Sequence, residues 1–470
     1  MDKKVVRAMA KKTDQQTFQA KVRSFVDQLR QEIVSGVYQD GDFLPSEEAL
    51  SKEYDLSNRS IRQGLDQLVQ EGLIEKKPRV GNRVIRKKII HVAYRDSLLR
   101  DVEFNRLLDL FHARYPDIQV QLVRTGVFPS FADGMTPFFV NRQADVVLLN
   151  HFDFCDMLES GNLSLLEPLQ PQEGISDKLN LAFVADGQQF AMPFTYSPVV
   201  LCYNKEHFRE AGVSEPVKGW TWDDLRLAAE QLSDQGQRLG FYYHLFSINR
   251  WLVFLLQHGV RFTPKGEDGF ETDWPLLMES LRFSRDLLRN ENGVPVYVTE
   301  TEEEVMQLFR EGRSSMFLAT YFSLNEFRNK QVPFDIAPLP SERFDHTLML
   351  TIGWAVNQLS QEKEAAVRFV RFLASPEAQD FIAHTSLSLP ALKTNLDPAR
   401  DECANERPSR FGLHLEIEST YRLHTELMLP LKQLYALRGL LKLYWFGLKD
   451  EHTLLEEIKR ELSPSGSPGN

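Results

Sequence analysis

Cysteine is scarce, with Cys155, Cys202 and Cys403 the only three in 470 residues. They are widely separated and show no metal-ligand spacing, which argues against a disulfide framework and predicts a reduced, cytosolic protein. No stretch approaches the roughly 20 consecutive apolar residues of a membrane span. The N-terminus, MDKKVVRAMAKKTDQQ, is basic but lacks an apolar run long enough for a signal peptide. The cytoplasm is therefore the expected compartment, with no membrane partner. Catalytic signatures are missing too. There is no G-x-S-x-G, HExxH, P-loop or Rossmann fingerprint, and the 11 histidines are scattered without a Cys/His cluster. Glu302 and Glu304 read as the solvated start of a helix. These absences predict a protein that is not an enzyme and carries no cofactor or metal.

What is present describes a globular chain. Hydrophobic residues make up 42% and charged residues 26%, and the length calls for two or three domains. The net charge of -11 is unevenly spread, with residues 1–88 carrying +5 and the remainder -16. A small basic module on a large acidic body suits a protein that meets phosphate with one end only.

Within the basic module, Val22, Val26, Leu29 and Ile33 recur at helical spacing up to Gly36. Ser46 then caps a short helix whose first turn holds Glu47 and Glu48, and which runs to about Tyr54. Asp55–Leu56 make a turn, and Ser57 caps a third helix with a buried stripe of Ile61, Leu65, Leu68 and Val69. That stripe leaves Asn58, Arg59, Arg62 and Gln63 facing outward. Leu73–Ile74 and Val84–Ile85 read as short strands around the basic turn KKPRVGNR. A helix-turn-helix needs this order, because its second helix presents N-terminal side chains to base edges in the major groove.

The segment LPSEEALSKEYDLSNRSIRQGLDQLVQEGLI resembles the GntR-family winged helix over about residues 17–86. The resemblance implies DNA contacts by Ser46, Glu47, Asn58, Arg59, Ser60, Arg62, Arg79, Gly81 and Arg83. Three departures stand out. Glu48 and Asn58 replace family arginines, and Arg79 replaces the first glycine of the wing.

From Lys88 the pattern changes to strands alternating with helices. IIHVAY, IQVQLVRTG and ADVVLLN are strands, and Phe104, Leu107, Leu108 and Phe111 face one side of a helix ending at Pro116. This predicts a parallel α/β sheet, with ligands beyond the carboxyl ends of its strands, near Thr125–Phe128 and Asn150–Asp153. GQQFAMPFTYSPVVLCYNKEHFREAGV, EVMQLFREGRSSMFLATYFSLNEF and IGWAVNQLSQEKEAAVRFVRFLASPEAQDFI resemble, in order, segments of family 1 solute-binding proteins, the class containing maltose-binding protein. The expected architecture is a multidomain α/β chain: a winged helix-turn-helix followed by a two-lobed periplasmic-binding-protein-like (type II) fold. Its parts are an arm at 1–16, a head at 17–87 and a receptor at 89–465. Lobe one takes about 89–197 and 340–400, lobe two about 203–330 and 410–465, with hinge crossings at Tyr196–Tyr203 and Pro333–Pro340.

By family position, Tyr196, Trp251, Tyr321 and Trp354 are expected to stack on a ligand, with Asn150 and Asp153 supplying polar groups. Phe322 reads as core, and Arg250 as a possible answer to an acidic ligand. The function expected is a homodimeric, cytoplasmic transcription regulator. It binds a double-stranded DNA operator and senses a small effector, a sugar or oligosaccharide, by lobe closure. The alternative is a cytoplasmic solute-binding module whose degenerate winged helix does not bind operators.

Overall fold

The computed structural model describes residues 21–33, 35–85, 87–95, 99, 102–234, 238–266, 269–288, 299, 301–394 and 396–463. The expected arm at 1–16 lies outside them. The chain divides into two compact units, Met1–His91 with Leu108–Gln121, and Val92–Leu107 with Leu122–Asn470.

In the first unit, helix α1 (21–33) buries Phe25, Val26, Leu29 and Ile33. Helix α2 (Glu47–Tyr54) begins where the Ser46 hydroxyl accepts from the Ala49 N–H at 3.2 Å, and ends at Asp55 with φ 50°. Helix α3 (Asn58–Gln70) is capped by Ser57, whose Oγ accepts from the Ser60 N–H at 3.3 Å. Ile61, Leu65 and Leu68 close the core against α1. Gly64 lets the two helices meet: a Cβ there would lie 2.6 Å from Phe25 Cε1 and 2.9 Å from Val26 Cγ2. Arg30 on α1 ties down the far end of α3, its Nε and Nη2 donating to both Glu71 oxygens at 2.8 and 2.7 Å.

Strands β1 (Ile74–Lys77) and β2 (Gly81–Val84) pair antiparallel, Ile74 opposite Val84. They reach further into the basic segment than expected, so Lys76, Lys77 and Arg83 stand on strands and only Pro78–Val80 turn. Hydrophobicity marked the buried ends alone, because the outer rungs of a wing carry solvated cations.

The second unit is built on a sheet in the order Met316–Thr320, Ala191–Asn204, Thr347–Val356, Val146–Asn150 and residues 92–94. The expectation of a parallel sheet needs correcting. Val92 and Ala93 run parallel to Val146 and Val147, but Thr347–Val356 is antiparallel to both Val146–Asn150 and Ala191–Asn204. Strands returning from distant sequence insert between neighbours, which local alternation cannot reveal. The 14-residue strand Ala191–Asn204 pairs with Thr347–Val356 along its first half and with Met316–Thr320 and Phe334–Ala337 along its second. Both expected crossings therefore include paired strand residues. A core of Phe131, Met135, Phe139, Phe154, Phe183 and neighbours packs beneath, with Leu423 against it.

Candidate functional site

On the first unit, Asn58 and Arg59 are exposed at the start of α3. Arg62 is exposed, but its Nε donates to Glu47 Oε2 at 2.5 Å. Lys76 pairs with Asp66, Lys77 with Glu75, and Arg83 reaches Glu75 at 3.5 Å. Glu48 pairs with Lys52 at 2.9 Å. Among the described residues, Arg59 and Arg79 have no acidic partner. Arg79 sits at φ 66° and Gly81 at φ 140°, so the wing keeps a glycine-type backbone where the family glycine has become arginine. Ser60 is a correction: it is 3% exposed, its hydroxyl 2.7 Å from that of Ser57, so it belongs to the helix start rather than the surface.

On the second unit, two cavities bracket the central strands. The smaller, about 350 Å³, lies at the carboxyl end of Val146–Asn150. Asn150, His151 and Phe152 line one side, while Asn249, Arg250, Glu302 and Phe322 contribute from the other segments. Arg250 is buried and its Nη2 lies 3.2 Å from Glu302 Oε2. Among the described residues, four lining side chains hold a buried polar atom without a partner: Arg95 Nε, Asn249 Oδ1, Glu302 Oε1 and Thr351 Oγ1. The larger cavity, about 690 Å³, is lined by Tyr196, Met349, Leu389, Arg407, Phe411 and Tyr421 among others.

The structure scatters the predicted ligand set. Asn150 lines the smaller cavity, but its side chain also accepts from the Asp153 N–H at 2.9 Å as the cap of helix His151–Glu159. Tyr196 lines the larger cavity. Asp153 is consumed by the reciprocal cap and an ion pair with Arg95, and burial raises its carboxyl above the ordinary value while Arg95 pulls the other way. Trp354, expected to stack on a ligand, stands on the strand Thr347–Val356. It is 1% exposed in mid-strand, stacked on Phe104 at 5.6 Å. Trp251 is equally buried, 6.2 Å from Trp445. Tyr321 is wholly buried, its hydroxyl donating to the Phe411 carbonyl at 2.9 Å. The helix starting at Tyr321 turns that ring inward and its neighbour outward, so Phe322, expected as core, lines the smaller cavity. Glu302, expected as a solvated helix start, lines it too. Thr125–Phe128 do not.

A cluster that spacing concealed is also present. His151, Cys155 and His424 are all buried, with one donor atom from each within 4.8 Å of the others. The expectation of no Cys/His cluster missed it because the third residue arrives from a distant turn.

A two-domain frame with a helix-turn-helix, a wing and a cleft-bearing mixed sheet defines a winged-helix regulator head joined to a solute-binding fold. The comparisons agree. Residues 96–380 match the family described as bacterial extracellular solute-binding protein, and residues 21–84 match the gntR family of bacterial regulatory proteins. The chain belongs to the solute-binding family and carries a gntR-type domain at its front; neither is a family of enzymes. A binding protein of Brucella abortus (strain 2308) is 24% identical over 199 residues, 40% of this chain and 47% of that one. The sn-glycerol-3-phosphate-binding periplasmic protein UgpB of Escherichia coli (strain K12) is 26% identical over 237 residues, 46% of this chain and 52% of that one. The chain thus spans about half the length of the curated relatives it matches. Among solved structures, the substrate-binding protein Lmo0181 of Listeria monocytogenes in complex with cycloalternan aligns with TM-score 0.67 at 20% identity, covering 80% of this chain and 98% of that one. Maltose-bound MalE3 of T. maritima aligns with TM-score 0.66 at 18% identity, covering 80% and 98%. Among the described residues, no helix is long and apolar enough to cross a membrane.

Proposed function

We propose that the protein is a ligand-responsive DNA-binding regulator, working in the cytoplasm as a homodimer whose paired heads read two half-sites. The head is assigned to residues 17–87 and the receptor to 89–465. Asn58, Arg59 and Arg62 lie where base edges are read, and Lys76, Lys77, Arg79 and Arg83 supply phosphate contacts from the wing. The effector is a sugar or oligosaccharide bound in the smaller cavity. What carries this reading is the set of four partnerless buried polar atoms on residues that ring a cleft also walled by Phe152 and Phe322. Hydroxyls satisfy such atoms while an aromatic ring covers an apolar sugar face. Cycloalternan and maltose, held by similar solved structures, have this chemistry. A ligand touching both walls favours the closed arrangement of the lobes and so shifts the population toward it.

The test has two parts. A melting-shift screen over sugars, peptides and polyamines finds the effector. Anisotropy with the DNA upstream of the protein's own gene, at stated salt, then measures operator binding with and without it. No specific binding in either state overturns the regulator reading.

One observation favours the alternative, a solute-binding module that no longer reads operators. Glu47 occupies the Arg62 guanidinium, and Glu48, where the family carries arginine, is turned to Lys52. If Glu47→Gln leaves specific binding absent even at low salt, the alternative stands.

A further inference from the structure

We propose that His151, Cys155 and His424 form a site for one thiophilic cation, of the copper(I) and zinc(II) class, in the floor of the cleft.

His151 and Cys155 stand one turn apart on the helix His151–Glu159, so both side chains share a face. His424 comes from the 3-10 turn His424–Leu427 and lies against them, its ring 4.7 Å from that of His151 and stacked on Phe152 at 4.2 Å. The tautomer of His151 follows from its partner. Nδ1 is 2.6 Å from the Ala182 carbonyl, which can only accept, so Nδ1 carries the proton and Nε2 is a bare donor. That Nε2 lies 3.9 Å from Cys155 Sγ. A cation with bonds of about 2.0 Å to nitrogen and about 2.3 Å to sulfur needs a separation of about 3.5–3.7 Å, so a shift of a few tenths of an ångström suffices for this pair, while the His424 donor, within 4.8 Å of both, must close by up to about 1 Å. His424 Nδ1 is buried and has no hydrogen-bond partner among the described residues, a polar atom that a metal would satisfy. Both imidazoles and the Cys155 thiol are buried, with His151 5% and His424 1% exposed.

Binding forms a sulfur–metal bond as the Cys155 proton leaves to solvent. One thiolate and two neutral imidazoles make a neutral centre with a monovalent cation, whereas a divalent one leaves a net positive charge in a buried place. Copper(I) is the favoured occupant on that ground, and soft ligands suit it. His151 also lines the cleft, which provides the entry path.

Full-length protein is titrated anaerobically with copper(I) against a competing chelator, and separately with zinc(II). The proposal expects one equivalent of either cation. Affinity should fall on the order of tenfold or more in Cys155→Ser and in His424→Gln, and persist when Cys202 and Cys403 are both changed to serine. Tighter copper(I) than zinc(II) supports the neutral-centre argument, and the reverse order replaces copper by zinc within the class. The Cys202→Ser, Cys403→Ser protein gives a readout that survives misfolding of the ligand variants: cobalt(II) bound there shows a sulfur-to-metal band in the near ultraviolet. Binding below one equivalent, binding indifferent to Cys155 and His424, or no such band overturns the site.

Discussion

Arg79 shows what one position can reveal. Its φ of 66° is a backbone region that costs a non-glycine residue about 1–2 kcal/mol. Replacing it with glycine relieves that strain but removes a cation from the wing. Arg79→Gly should therefore raise the melting temperature of the head slightly while weakening DNA binding, and lower the slope of log affinity against log salt by about 1. A stability gain without a change in slope would take Arg79 off the phosphate face. The cleft offers a second contrast. Phe322→Ala should weaken binding of the sugar found in the melting screen and leave folding nearly intact. Trp354→Ala, in mid-core, should cost about 3–5 kcal/mol in denaturant unfolding. Neither side was legible in the sequence: Phe322, read as core, lines the cavity, and Trp354, expected at the ligand, is buried. One residue along the helix start at Tyr321 turns a ring from the cavity into the core, and the strand holding Trp354 is covered on the side of that ring by Phe104.

At the scale of elements, the head depends on how closely α1 and α3 approach. Alanine in place of Gly64 gains about 1 kcal/mol of helix propensity. Its Cβ, however, would sit 2.6 Å from the buried Phe25 ring, and overpacking costs about 1–3 kcal/mol. The clash wins on these magnitudes, so Gly64→Ala should lower the unfolding midpoint of the head. The Arg30–Glu71 pair adds a pH dependence. The Arg30 hydrogen bonds hold the Glu71 carboxyl below its ordinary value. A depressed carboxylate contributes stability that is present above its unfolded value of about 4.3 and is lost as pH falls through the lower folded one. Head stability should decline as pH drops below about 4, and Arg30→Ala should flatten that decline in melting curves. The three helices and their caps were readable in the chain because Ser46, Ser57 and the 3-4 spacing act within a few residues. The length of the wing was not, since its outer rungs pair across the turn without burying any apolar side chain.

For the whole molecule, the proposed coupling makes a quantitative demand. If effector alters DNA affinity by some factor, DNA must alter effector affinity by the same factor. The two factors should agree in titrations run both ways, and small-angle scattering should show the receptor contracting on binding. An unchanged scattering envelope would sink lobe closure as the mechanism. The order of segments, the capped helices of the head, the gntR-type domain and the membership of the solute-binding family were all written locally, in spacings of three, four and two residues and in motifs that stay in register. Only the tertiary structure decided which strands run antiparallel and which of Tyr321 and Phe322 faces the cleft. Nor could the chain alone show that Glu47 holds Arg62, or that His424 meets His151 and Cys155. Those outcomes depend on contacts between residues far apart in the chain, and the periodicity of a sequence carries no record of which distant partner fills the space beside a side chain.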